Sequence, residues 1–78
     1  MNVVQDKSVV SYLQERGLMD QYRKAVTLIE KGYFATVHLK KRQPKRAGIW
    51  YFRISQKYRA LCIRHENTLI VFEIDDHQ

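Results

Sequence analysis

Apolar positions recur at helical spacing in the first part of the chain and at strand-like spacing after Gly32. Val9, Val10, Tyr12 and Leu13 make one apolar face, with Asp6 placed to cap the helix and Gly17 to end it. Tyr22, Ala25, Val26 and Ile29 follow at i, i+3, i+4, i+7, with Asp20 as the expected cap and Gly32 as the stop. Only about three residues separate the two patterns, so an antiparallel helix hairpin is predicted. Beyond Gly32, Val37 and Leu39 alternate with His38 and Lys40, and Ile49–Ile54 is aromatic and β-branched. Tyr58–Ile63 and Leu69–Ile74 are two further strand-like runs. Ser55-Gln56-Lys57 and His65-Glu66-Asn67 are short connections, with Asn67 suited to a positive φ, so these strands should be antiparallel neighbours. The expected order is ααββββ, with Val3-Val4 a candidate added edge strand. This is an α+β fold: an N-terminal helix hairpin packed on a small, mainly antiparallel sheet of about four strands.

With 78 residues, the chain is expected to form one domain over residues 1–78. A body of that size buries only about 60% of its unfolded surface, which leaves little stability to spare. The one cysteine, Cys62, lies in an alternating apolar pattern and reads as a buried thiol, which fits a reducing compartment. No apolar run approaches the ~20 residues of a membrane span. Met1–Asp6 lacks the basic start and apolar stretch of a signal peptide, so a cytoplasmic protein is expected. Fourteen Lys and Arg against eight Asp and Glu give a net charge of +6, a field that attracts nucleic acid or an acidic protein.

That charge is clustered. The run from His38 to Arg46 holds five cations, Lys40, Lys41, Arg42, Lys45 and Arg46, and Pro44 with Ala47-Gly48 makes it a loop between strands. Such a loop can track a phosphate backbone without reading sequence. Arg53 and Arg59 sit in or at the start of apolar strands, where a guanidinium needs a reason to be. Planar, bidentate phosphate contact is one such reason. A structural ion pair with Glu73 or Asp75 is the other, and for Arg53 the two weigh equally. Trp50 and Phe52 share a side and should pack under the helices; Tyr51, on the side of Arg53, is the candidate for stacking on a base. His77 is either a frayed terminal side chain or a general acid–base. No histidine has Cys or His at ligand spacing, so neither a zinc site nor another cofactor is expected. Asp75 and Asp76 are adjacent on a strand and point to opposite faces.

The stretch Trp50-x-x-Arg53-Ile54-Ser55-Gln56-x-x-Arg59, continued to His77, resembles the toxins of the RelE/ParE superfamily, and within it the YoeB branch. Helices ahead of an antiparallel sheet agree with that superfamily. The resemblance implies a ribosome-dependent, metal-independent mRNA endonuclease in which the ribose 2′-OH attacks the adjacent phosphate. On that reading Arg59 stabilises phosphate charge, His77 protonates the leaving oxygen, and Lys40–Arg46 contacts ribosomal RNA and message. Two positions depart from the YoeB pattern: Lys40 stands where the family has a glutamate, and Gln78 where it has a tyrosine. A glutamine can hydrogen-bond a phosphate but can neither stack nor act as an acid. The resemblance also implies a neutralising antitoxin with an acidic tail, in a dimer or a toxin–antitoxin hetero-oligomer. A ParE-like toxin that binds gyrase without cleaving RNA, and a basic RNA-binding module, are the alternatives.

Overall fold

The computed structural model describes residues 1–76; the roles expected of His77 and Gln78 lie outside the described residues. The elements run β1 (Asn2–Gln5), α1 (Lys7–Glu15), α2 (Met19–Glu30), β2 (Lys40–Lys41), β3 (Ile49–Arg53), β4 (Tyr58–His65) and β5 (Thr68–Asp76). This is an α+β architecture of two helices and one five-stranded mixed sheet in the order β1-β5-β4-β3-β2. No described helix is long and apolar enough to cross a membrane.

Local signals start and stop α1 as its sequence implies. The Asp6 carboxylate accepts from the Val9 amide at 3.0 Å and from the Ser8 hydroxyl at 2.6 Å, and Gly17 takes φ +66 just past the helix end. Those two donors, the Ser8 hydroxyl first, hold the Asp6 carboxyl below its ordinary value. A carboxyl depressed in the folded state adds stability above its unfolded pKa, lost as pH falls through the folded one. Asp6→Ala should therefore lower the melting temperature at neutral pH, with the gap narrowing below about pH 4 in thermal melts followed by circular dichroism. The start of α2 departs from expectation: Leu18 is its N-cap, without a side-chain bond, and Asp20 lies inside the first turn. There the carboxylate still favours the positive end of the helix dipole.

Both helices bury their apolar stripes on one face of the sheet. Val9, Leu13, Leu18, Tyr22, Ala25 and Ile29 meet Phe52, Ala60, Cys62, Leu69, Val71 and Ile74 in a continuous core. Tyr22 packs its ring 6.2 Å from that of Phe52 and donates its hydroxyl to Gln5 Oε1 at 2.7 Å, tying α2 to β1. Cys62 is fully buried, and burial pushes its thiol up to about 12. The native protein should resist iodoacetamide at pH 8.5 and react at one site once unfolded in urea, as mass spectrometry would show.

One expectation is extended and two are corrected. The candidate edge strand at Val3-Val4 is a full strand, pairing in parallel from Asn2↔Thr68 to Gln5↔Val71, so the sheet has five strands and is mixed. A strand is expected there, but its parallel pairing cannot be read from four residues whose partner, β5, is more than sixty residues away.

The Val37–Leu39 alternation is not a strand. The His38 amide donates to the Ala35 carbonyl at 3.1 Å and the Leu39 amide to that of Phe34 at 3.0 Å, with His38 at φ +54. That pair of bonds around a left-handed residue is a Schellman closure of a helical turn. Regular pairing starts only at Lys40↔Tyr51, while the Arg53 amide still donates to the Val37 carbonyl at 2.7 Å. His38 and Leu39 thus bulge opposite Phe52.

In the β4–β5 hairpin, Glu66 and not Asn67 takes the positive φ, +55. A second bulge puts Leu61 opposite Glu73 but Cys62 opposite Val71, leaving Phe72 as the extra residue, 38% exposed.

Candidate nucleic-acid interface

Strand pleating sends alternate side chains of β3, β4 and β5 to opposite faces. Phe52, Ala60 and Ile74 share one row on the helix side. The neighbouring positions therefore form rows on the other face, which no described element covers. Arg53, Arg59 and Asp75 make one row; Lys40, Tyr51, Leu61 and Glu73 make the next; Ile49, Ile63, Ile70 and Val4 make a third. Leu61 is 4% exposed yet stands apart from the helix-side core, so it is the floor of this second face.

The register brings Arg53 and Arg59 directly opposite each other. Like charges at such a position destabilise a sheet unless something compensates. Asp75 lies opposite Arg59 from the other side, but among the described residues no ion pair involves either arginine. The ion-pair reading that stood equal for Arg53 therefore finds no partner in Glu73 or Asp75. Arg53 is exposed and Arg59 half-buried. The Arg59 guanidinium lies 4.9 Å from the centroid of the Tyr51 ring, an attraction that holds it in place without neutralising it. The result is a fork of two arginines facing each other across β3 and β4, neither in an ion pair among the described residues, with an aromatic ring against one of them, an arrangement that favours a bound oxyanion.

Of the other expected residues, Lys40 pairs across from Tyr51 and thus borders the same face. Lys41 pairs across from Trp50, on the opposite parity. Arg42 donates its amide to the Ile49 carbonyl, and Lys45 and Arg46 lie in a 3₁₀ turn, Lys45–Ala47, that leads through left-handed Gly48 into β3. All five cations are exposed, so the basic run is a rim along the β2–β3 edge. Trp50, expected under the helices, is only half-buried at the core margin, with Arg64 over its ring at 5.5 Å.

Three clefts lie elsewhere, one of about 400 Å³ lined by Lys24, Thr27 and Leu28. One of about 280 Å³ is lined by Gln14, Gly17, Met19 and Asp20, and one of about 330 Å³ by Ser8, Val9, Tyr12, Phe72, Glu73 and Ile74. None of the three is lined by Arg53 or Arg59. The basic face is open and shallow, which suits a polymer lying across it better than a small molecule that must be enclosed.

The charge map is more one-sided than the His38–Arg46 run alone suggests. Between Glu30 and Glu66 there is no carboxylate side chain, and that segment holds ten of the fourteen cations. It also contains Tyr33 and Phe34, which are 58% and 38% exposed and were not among the expected site residues. The missing carboxylates were the signal that would have marked the whole segment, aromatics included.

No protein-family model matches the chain, and no curated protein matches it.

Proposed function

We propose that this chain is a toxin-type endoribonuclease that cleaves message on the ribosome without a metal. The observation that carries the reading is the Arg53–Arg59 cross-strand pair, in no ion pair among the described residues and set beside Tyr51 and Lys40 on an uncovered face. Two facing guanidinia are a costly arrangement for a free sheet and a favourable one around a phosphodiester. The resemblance of Trp50–Arg59 to the RelE/ParE toxins supplies the reaction class.

In this proposal the two arginines hold the scissile phosphate, with Tyr51 against a neighbouring base. The 2′ oxygen attacks in line, forming the O2′–P bond as the P–O5′ bond breaks. The 2′-OH proton leaves to solvent water, and Lys40, standing where the family has its glutamate, binds the RNA backbone beside it as a cation. His77 returns a proton to the departing 5′ oxygen, leaving a 2′,3′-cyclic phosphate and a 5′-OH end. Charge builds on the non-bridging oxygens, and Arg59 meets it with a guanidinium already oriented on Tyr51; such preorganised charge is commonly the largest catalytic term. Gln78 hydrogen-bonds the phosphate. Lys41, Arg42, Lys45 and Arg46 bind the surrounding RNA backbone, giving an affinity that falls with salt.

The proposed neutralising partner is an antitoxin with an acidic tail. The apolar row of exposed Val4, Ile63 and Ile70 with half-buried Ile49, beside a strongly basic rim, supports an amphipathic, acidic segment lying across this face.

Inducing the chain alone in bacteria and mapping message ends by primer extension tests the nuclease reading. New ends within coding sequences and arrested growth are expected. Unchanged growth and message ends, with soluble folded protein present, would sink it, and DNA-damage signalling without new ends would point to a gyrase-directed inhibitor instead.

A further inference from the structure

We infer that the helical turn carrying Tyr33 and Phe34 is a second, base-stacking contact for unpaired RNA, adjoining the arginine fork; the inference rests on the RNA-binding reading of that fork. Tyr33 is the most exposed large apolar residue of the described chain at 58%, and Phe34 is 38% exposed. Neither belongs to the core nor to the partly buried residues packed against it. Adjacent in the chain, the two rings leave a local aromatic surface in water that is open to a stacking partner.

Their placement supplies one. Schellman bonds from His38 and Leu39 back to Ala35 and Phe34 close the turn, and the Arg53 amide fastens it to β3 through the Val37 carbonyl at 2.7 Å. The turn is therefore hydrogen-bonded directly to the backbone of Arg53, one of the two fork residues. Phe34 lies about one helical turn from that anchor. His38 holds a left-handed conformation there, φ +54, which a side-chain-bearing residue adopts at some cost. The turn is thus closed by its own hydrogen bonds and tied to β3.

Charge selects the partner. No carboxylate side chain lies between Glu30 and Glu66, so the two rings sit inside the most basic stretch of the molecule, flanked by Lys31 and by Lys40, Lys41 and Arg42. Exposed rings within a basic track are how single-stranded nucleic acids are held without sequence preference: cations follow the backbone while bases stack on aromatic faces. A duplex hides its base faces, so the turn favours unpaired RNA.

Salt-titrated binding separates base stacking at this turn from phosphate binding at the fork. A single-stranded RNA decamer is titrated against the wild type, Tyr33→Leu/Phe34→Leu and Arg53→Ala/Arg59→Ala, with circular dichroism confirming that each folds. Leucine keeps apolar bulk at both positions and removes the rings, together with the Tyr33 hydroxyl, for which Tyr33→Phe is the control. The ring variant should bind about tenfold more weakly per ring at every salt concentration, with the slope of log K against log salt unchanged. The arginine variant should flatten that slope by about 0.7 for each phosphate it no longer neutralises. An oligomer of abasic residues should bind the wild type and the ring variant equally. If the ring variant binds RNA like the wild type while the arginine variant is weakened, the stacking inference is wrong and the fork reading stands. If neither variant differs from the wild type, both fail together.

Discussion

Arg59→Ala should abolish toxicity and message cleavage while leaving the fold intact. Its half-buried guanidinium lies on the uncovered face, outside the helix-side core, and makes no ion pair among the described residues. Removing it relieves the like-charge repulsion with Arg53, so the melting temperature should stay the same or rise slightly. Cleavage should fall about 10²–10³-fold, the usual effect of deleting one preorganised charge-stabilising group. Arg59→Lys should restore little, because an ammonium offers neither the planar fork nor the same stacking on Tyr51. Primer extension on induced cells, alongside thermal melts of the purified variants, checks both halves. A variant that melts normally and still cleaves at wild-type levels would remove Arg59 from the mechanism.

Phe52→Ala should have the largest effect on stability of any single truncation in the sheet. Phe52 is fully buried, packs against Tyr22 and lies in the row shared with Ala60 and Ile74 that meets the helices. Emptying such a site costs about 3–5 kcal/mol, from reduced burial and the residual cavity. A chain of this length has only about 4–12 kcal/mol in total. Urea titration should show a midpoint collapsed toward zero denaturant, or no folded baseline at all. Phe52→Leu, closer in volume, should cost less and refold. Because Phe52 sits on β3 between Tyr51 and Arg53, its loss should also remove activity, but through unfolding, which separates it from Arg59→Ala.

The two arginines show how far the chain could be read in advance. Each was conspicuous alone, as a charge within an apolar run. That they face each other was not readable, because cross-strand partners depend on the length and geometry of the Ser55–Lys57 turn. There the Ser55 hydroxyl accepts from the Lys57 and Tyr58 amides, and the Ile54 and Ser55 amides both donate to the Tyr58 carbonyl. A shift of one residue in that register would have moved every side chain of β4 to the other face.

Where expectation failed, the competing interaction is identifiable. Val37 and Leu39 do turn inward, Val37 buried and Leu39 partly so, which is why they read as a strand. Two inward residues spaced two apart also fit a helical turn followed by a bulge, and local Schellman bonds settle the backbone there. Asp20 resembled a cap because its side chain suits that role, but the Arg16–Leu18 connection leaves the chain already helical at Leu18. Tyr33 and Phe34 passed unnoticed because two aromatics after a helix look like core until the structure shows them in solvent.

Nearest-neighbour chemistry in the sequence was sufficient for the two helices, for most strand-forming runs and for the concentration of positive charge. Caps, helical periodicity, β-branched runs and turn residues all act within a few positions of each other. Tertiary structure alone decided that Asn2–Gln5 completes the sheet in parallel with β5, that the Tyr33–His38 turn hangs from Arg53, and that Arg53 and Arg59 form one fork. Those are pairings between residues brought together by burial of the helix-side core, and their register is a property of the assembled sheet.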